Sequence, residues 1–255
     1  MKAKNLIAAL LMAVGLQTAQ AQKIILHMPD NQTVEYEISK LDSITFVGGE
    51  SSDVPGFLTC PNDQHPHAID LGLPSGTKWC CCNVDASTPE GTGGYYAWGE
   101  TATKDSYGFN NYLLFDREVT YNYIDIGTDI AGTSYDAATV RMGAPWHMPT
   151  LEQMQEIYDN CTIEWTQKEG VKGMLVTGKN EGQIFLPATG VFWDTNINAV
   201  GNAGSYWCSV LCPSEYGTYR EEMAYLLSFN IKQEAWLWNA NTPRYTGHTV
   251  RAVCK

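Results

Sequence analysis

Between residues 58 and 255, turn-forming residues interrupt the apolar sequence at short intervals, and this pattern limits the possible folds. Short apolar runs alternate there with stretches rich in Gly, Asn and Asp, which is typical of short strands joined by turns and loops. Residues 68–71 and 78–81 flank Pro74-Ser75-Gly76 and predict a hairpin. Further strands are expected at residues 170–176, 183–186, 206–210, 224–229 and 249–253.

Only two segments of this region carry clear helix signals. The first covers residues 136–142. The second begins at Thr150, where Gln153 completes a capping box and Glu152 lies in the first turn. Its apolar residues fall on one helical face: Leu151, Met154, Ile157, Tyr158 and Cys161. Two helices followed by a run of strands predict an α+β fold with short antiparallel strands and long loops, rather than a parallel α/β fold.

The first 21 residues have the pattern of a secretory signal peptide. Two Lys precede an apolar run at residues 6–16, and Ala19-Gln20-Ala21 has the small-residue pattern of a cleavage site. The run is about half the roughly 20 residues that a membrane span needs, and no later stretch is longer, so we expect no transmembrane segment. The mature chain is therefore expected to begin near Gln22 and to be secreted, periplasmic or held at the cell surface.

A small β-hairpin is predicted after the signal peptide. Residues 24–26 and 34–38 read as its two strands around a Pro-Asp-Asn turn, and residues 44–47 read as a third short strand. Whether the hairpin packs on the rest of the chain is left open. The predicted organisation is residues 1–21 as signal peptide, 22–47 as hairpin segment, 48–57 as linker and 58–255 as the main domain.

The charge balance limits the class of partner. Lys and Arg number 16 against 28 Asp and Glu, a net charge of −12. Such a surface repels phosphate backbones and anionic lipids, so nucleic acid and passive membrane docking are disfavoured. The partner expected is a glycan or a protein outside the cell, and the oligomeric state is left open.

Several phrases of the main domain resemble one family of exported proteins. They are IDLGLPSGTKW at residues 69–79, CNV at 82–84, YYAWGET at 95–101, WHMPT at 146–150, IFLPA at 184–188, YW at 206–207 and VRAV at 250–253. Together they resemble the Fibrobacter succinogenes major paralogous domain, which is common in surface proteins of the Bacteroidetes. The resemblance implies a C-type-lectin-like fold with two main helices, related at a distance to formylglycine-generating enzymes. Most members have no assigned activity.

The resemblance also carries expectations about particular residues. Members usually have Arg where His147 stands and Ser where Cys208 stands. The most typical Cys positions of the family are those of Cys82 and Cys161, which implies a disulfide between them. The apolar phrases predict a core containing Trp79, Trp98, Trp146, Leu186 and Trp207.

The chain contains eight Cys, and the pair Cys208 and Cys212 gives the sharpest chemical signal in the sequence. Cys208 and Cys212 lie late in the chain, where the formylglycine-generating enzymes place paired Cys that bind copper(I), and two thiolates suit that ion. A copper-dependent oxidase is therefore an alternative function. The spacing is tighter than in those enzymes, so a disulfide or buried thiols are the favoured interpretation.

Other possible metal ligands do not form a recognisable set in the sequence. Cys80-Cys81-Cys82 is expected on a strand with Cys81 facing away from the other two, and no third and fourth ligand follows at zinc spacing. His65-Pro66-His67 is interpreted as a solvated entry loop. The Asp194-Thr-Asn196-Ile-Asn198 loop lacks the Gly and Glu that an EF-hand requires. No metal and no cofactor is expected.

The candidate ligand-binding residues lie in the loops between residues 187 and 248. They are Trp193, Asn196, Asn198, Trp236, Trp238, Asn239 and Tyr245. Aromatic stacking with amide hydrogen bonds suits a sugar or a protein, although filling the core is an equally good explanation of the aromatic residues. Asn239 is followed by Ala where calcium-dependent lectins have Asp, so binding without calcium is expected. Because G-x-S-x-G, H-E-x-x-H, P-loop and G-x-G-x-x-G patterns are absent, a non-enzymatic binding or adhesion module is predicted.

Overall fold

The computed structural model describes residues 23–27, 33–37, 60, 67–213, 219–231, 235–238 and 242–255. The chain divides into two compact units, Met1–Ser51 and Ser52–Lys255. The predicted signal peptide, the third strand at 44–47 and the linker at 48–57 lie outside the described residues.

The described part of the first unit is a two-stranded hairpin. Strand β1 (Lys23–His27) pairs antiparallel with β2 (Thr33–Glu37), so that Lys23 lies opposite Glu37. This pairing confirms the two predicted strands of the hairpin segment.

Two helices lie in the second unit, at the predicted positions. Helix α1 covers Ala137–Met142, and the Asp136 side chain caps it by accepting from the N–H groups of the first turn. Helix α2 covers Leu151–Asn160, and Thr150 and Gln153 form the predicted capping box. Local sequence fixes these helix starts because an N-cap side chain satisfies backbone N–H groups that have no partner inside the helix.

Strands supply most of the regular structure of the second unit. They are β3 (Ala68–Asp70), β4 (Lys78–Cys80), β5 (Phe115–Asp116), β6 (Asn122–Tyr123), β7 (Thr162–Lys168), β8 (Val171–Thr177), β9 (Gln183–Pro187), β10 (Val191–Trp193), β11 (Asn196–Asn198), β12 (Ala203–Pro213), β13 (Tyr219–Asn230), β14 (Ala235–Trp238) and β15 (Val253–Cys254). Their sheets have the orders β15-β4-β3, β5-β6, β7-β8-β9, β10-β11 and β12-β13-β14. Every strand pair is antiparallel. The β3–β4 pair confirms the hairpin predicted around Pro74-Ser75-Gly76.

The predicted fold class is wrong. The expectation was an α+β fold of the C-type-lectin type with two main helices, but α1 has six residues and α2 has ten. Helices this short cannot form a layer, and α2 buries only Met154 and Ile157 fully. The described part of the second unit is mainly β, because strands in small antiparallel sheets supply most of its regular structure.

The core brings the apolar sequence phrases together around a buried arginine. Trp79, Trp98, Leu186 and Trp207 are almost completely buried, as predicted, whereas Trp146 is half-buried and packs at the edge. The Arg251 guanidinium donates to four oxygen atoms, which belong to the carbonyls of Cys80, Cys81 and Phe185 and the side chain of Asn83. Arg251 therefore joins segments that are far apart in the sequence.

Among the described residues, no helix combines the length and the apolar character that crossing a membrane requires.

Candidate functional site

Three of the predicted ligand-binding residues lie on the β10–β11 hairpin. Trp193 ends β10 directly opposite Asn196, and Asn198 lies opposite Val191. The Trp193 side chain is 50% exposed, and Asn196 and Asn198 are exposed as well. The hairpin therefore presents one indole and two amide side chains to solvent.

Backbone hydrogen bonds hold the hairpin on both sides of Trp193. The N–H and C=O groups of Phe192 pair with those of Gly247 at 2.9 and 2.8 Å, and Asp194 pairs in the same way with Tyr107. A Cβ atom at position 247 would lie 2.8 Å from the Tyr107 ring, so this close approach requires glycine. The indole is thus carried by backbone that is fixed one residue before and one residue after it.

Tyr245 meets Trp193 at the surface. Their ring centroids are 6.4 Å apart at 87°, an edge-to-face arrangement. Tyr245 is half-buried, and its ring also meets Phe109 at 5.8 Å and 76°. Edge-to-face contacts favour a defined ring orientation. The structure therefore brings Tyr245 next to Trp193 and its hairpin partner Asn196, although Tyr245 lies about 50 residues further along the chain.

These two rings continue into a larger group that we call the aromatic face. It consists of Trp193, Tyr245, Phe109, Phe115, Tyr121 and Tyr123. The Arg117 guanidinium lies over the Phe109 and Phe115 rings at 5.1 and 5.2 Å. Burial raises the pKa of Tyr123 to about 12, so its phenol is neutral at physiological pH. The face therefore offers π surfaces and the neutral hydroxyl group of Tyr123.

Sequence reasoning missed the contribution of residues 107–123 to this face. The signal available was aromatic density, since Tyr or Phe stands at positions 107, 109, 112, 115, 121 and 123. Such density alone does not separate a core segment from a surface one. Tyr107 and Tyr112 are in fact fully buried, whereas Tyr121 is 71% exposed.

The remaining ligand candidates are not joined to this face by any described contact. Trp236 and Trp238 lie on β14, in register with Ser228 and Leu226 of β13, and their side chains lie outside the described part of the structure. Asn239 lies outside the described residues as well. Their role in binding stays a prediction.

Cys208 and Cys212 are both buried in the core. The Trp98 indole donates to the Cys208 carbonyl at 2.9 Å, and burial raises the pKa of the Cys208 thiol well above its ordinary value. Cys208 is therefore a protonated thiol in the metal-free protein, and a metal ion would have to displace its proton.

Cys82 and Cys161 lie in different parts of the core. Cys82 is buried near Cys60 and Cys81, whereas Cys161 is half-buried after α2 and packs against another cluster. Both carry free thiols in the structure. Their pairing stays a prediction.

A group of three buried thiols that we call the thiol cluster was not anticipated. The Sγ atoms of Cys60, Cys81 and Cys82 all lie within 4.8 Å of one another. The alternating orientation predicted for residues 80–82 is wrong, because β4 ends at Cys80 and the chain bends at the next two residues. That bend brings the sulfur atoms of Cys81 and Cys82 to 3.4 Å.

His67 adjoins the thiol cluster. Its Nδ1 atom lies 3.5 Å from the Cys81 sulfur, and its carbonyl accepts from the Cys81 N–H at 2.9 Å. A hydrogen bond with the Cys80 thiol lowers the pKa of Cys81, whereas a hydrogen bond with the Cys82 thiol and burial raise it. The net effect is a pKa raised to about 12. Among the described residues, the thiol cluster is the one set of three such side chains whose ligand atoms lie close enough to hold a metal ion.

Comparison with known proteins yields no relative for this chain. No family model matches it, and neither a curated protein nor a solved structure does.

Proposed function

We propose that this chain is an exported, non-enzymatic binding module that recognises a glycan through its aromatic face. The observation that carries the proposal is the half-exposed Trp193 ring, fixed on an anchored hairpin and set edge-to-face against Tyr245. A sugar ring presents C–H groups on its faces, and these pack on the π surface of an indole. The ring orientation is set before the ligand arrives, which reduces the entropic cost of binding.

Core filling does not account for Trp193. Trp79, Trp98 and Trp207 are at most 1% exposed, whereas half of the Trp193 side chain is in solvent. A large apolar surface held in solvent by a fixed backbone costs free energy in the unbound protein, and binding recovers it.

The polar groups beside the ring suit a sugar. The amides of Asn196 and Asn198 both donate and accept hydrogen bonds, which matches a hydroxyl group. The hairpin carries a single acidic residue, Asp194. A calcium site needs several carboxylate and carbonyl oxygens, so the proposed recognition is independent of calcium.

Export and family membership are parts of this proposal that rest on sequence alone. The pattern at residues 1–21 supports export, and the seven phrases between residues 69 and 253 support the resemblance to the major paralogous domain family. N-terminal sequencing of secreted protein tests the first part, and a mature chain that begins near Gln22 is expected. A mature chain that retains residues 6–16 would contradict it.

The alternative of a copper-dependent oxidase gains no support from the arrangement of Cys208 and Cys212. Both thiols are buried, and Cys208 is held in a wholly desolvated position. Copper(I) would have to displace a proton there and open the core.

A polysaccharide and glycan array probed with the exported chain tests the proposal. For a glycan found there, Trp193→Ala is expected to weaken binding at least about tenfold, a loss of about 1.4 kcal/mol. Tyr158→Ala is the matched control, because Tyr158 is 51% exposed on α2. Its affinity should equal that of the wild type.

Two results would contradict the proposal. One is equal affinity of Trp193→Ala and wild type for the bound glycan. The other is that no glycan on the array binds while a protein binds saturably. In that case the ligand class would be protein rather than glycan. Addition of a calcium chelator should leave glycan binding unchanged.

A further inference from the structure

The thiol cluster has the dimensions of a metal-ligand set. Zinc bound by thiolates at about 2.3 Å in tetrahedral geometry holds the sulfur atoms about 3.8 Å apart. The Cys81 and Cys82 sulfur atoms are 3.4 Å apart, and Cys60 completes a triangle with no side above 4.8 Å. Small movements of three side chains are enough to place an ion at its centre.

The charge beside the thiol cluster is unbalanced without an anion. Arg251 is completely buried, and its guanidinium donates only to neutral oxygen atoms, including the carbonyls of Cys80 and Cys81. Within the described ranges, no carboxylate contacts it. A buried cation without a counter-charge is costly.

Metal binding would supply the missing negative charge. Three thiols that bind a divalent ion release three protons to solvent, and the product of Zn²⁺ and three thiolates has a net charge of −1. With the +1 of Arg251 this sums to zero. A monovalent ion such as copper(I) with three thiolates would instead carry −2 and leave a net negative charge in the core.

The cluster is also reachable from the surface. A cavity of about 480 Å³ is lined by Cys81 together with Ile69, Pro89 and Phe185. His67, whose Nδ1 atom lies 3.5 Å from the Cys81 sulfur, is half-buried. The imidazole therefore lies beside one thiol of the cluster, and the cavity that Cys81 lines provides an entry path.

We propose that Cys60, Cys81 and Cys82 bind one zinc ion as thiolates, with the His67 imidazole beside Cys81 and Arg251 as counter-charge. This site is independent of the aromatic face and of the copper alternative at Cys208 and Cys212. Its role is structural, because it ties Cys60 to the end of β4.

The first test uses the full chain purified under reducing conditions without chelators. Elemental analysis is expected to give one zinc per chain. Replacement of zinc by Co²⁺ should produce a thiolate-to-cobalt charge-transfer band and the intense visible bands of a tetrahedral ion. These measurements use the wild-type protein and do not depend on whether a variant folds.

The second test uses matched cysteine variants. Cys60→Ser and Cys81→Ser are expected to lower zinc affinity more than about 100-fold, since even second-shell changes cost 10–100-fold. Cys161→Ser is the control, because Cys161 is half-buried outside the cluster, and it should retain one zinc per chain. Circular dichroism establishes that each variant keeps its fold.

Any of four results would overturn the proposal. They are wild-type protein without bound metal after incubation with Zn²⁺ and reductant, a folded Cys60→Ser variant with wild-type affinity, copper(I) bound in preference to zinc, and a disulfide among the three Cys in freshly exported protein. The last result is the expected competitor in an oxidising compartment.

Discussion

The aromatic face and the thiol cluster are both assembled from distant parts of the chain, but they differ in their surroundings. The aromatic face is open to solvent at Trp193 and Tyr121 and rests on an anchored hairpin. The thiol cluster is buried beside Arg251, and of its three residues Cys81 lines a surface cavity. The guanidinium groups show the difference: Arg251 is buried beside the thiol cluster and joins core segments, whereas Arg117 is exposed beside the aromatic face.

The largest expected difference is between two tryptophans. Trp98→Ala should lower the free energy of unfolding by about 3–5 kcal/mol, because it leaves a cavity and removes the hydrogen bond to the Cys208 carbonyl. Trp193→Ala should cost less than about 1 kcal/mol, since half of its side chain is already in solvent. Chemical denaturation measures both. Equal losses would mean that Trp193 is a core residue.

Two arginines provide the next contrast. Arg251→Met should cost about 3 kcal/mol, because it leaves four oxygen acceptors without their buried donor. Arg117 also donates to three carbonyls, those of Phe109, Tyr112 and Phe115. Arg117→Met should nevertheless cost only about 1 kcal/mol, because Arg117 is exposed and water can take over as donor. Denaturation midpoints check the order. A stable Arg251→Met protein would contradict the role assigned to this residue.

Two glycines test the anchoring of the hairpin. Gly247→Ala should cost about 1–3 kcal/mol, because the new Cβ would lie 2.8 Å from the Tyr107 ring. Gly108→Ala is the control, since nothing lies within 4 Å of its added Cβ, and it should change stability by less than about 0.5 kcal/mol. If both variants behave alike, the close approach at Gly247 does not hold the hairpin.

The smallest expected effect concerns Asp116, which follows Phe115 of the aromatic face. Backbone N–H groups of Val119, Thr120 and Glu118, together with the Thr120 hydroxyl, lower the pKa of this exposed carboxyl from 3.8 to about 2. Its contribution to stability is therefore present above pH 4 and is lost as the pH falls through about 2. An NMR titration of the Asp116 carboxyl measures this pKa. A midpoint near 3.8 would contradict the hydrogen-bonded turn.

The two regions also differ in how far sequence predicts them. Trp193 and Tyr245 were predicted as ligand candidates, but their contact and the participation of residues 107–123 were not. For the thiol cluster, Cys81 and Cys82 were assigned to opposite strand faces. This prediction is wrong because the end of β4 at Cys80 depends on pairing with β3 and β15, which the residues at 80–82 do not encode. Of the predicted loop at 65–67, only His67 lies within the described residues, where it is half-buried.

The sequence by itself determined what depends on neighbours a few residues away. The N-caps at Asp136 and Thr150, the paired strands of the two predicted hairpins and the buried tryptophans follow from local hydrogen bonding and apolar pattern. Tertiary structure alone decided the fold class, because two short helices remain minor beside antiparallel pairings. It also decided the meeting of Cys60 with Cys81 and of Trp193 with Tyr245. Such contacts depend on the path of the whole chain, and local sequence carries little information about them.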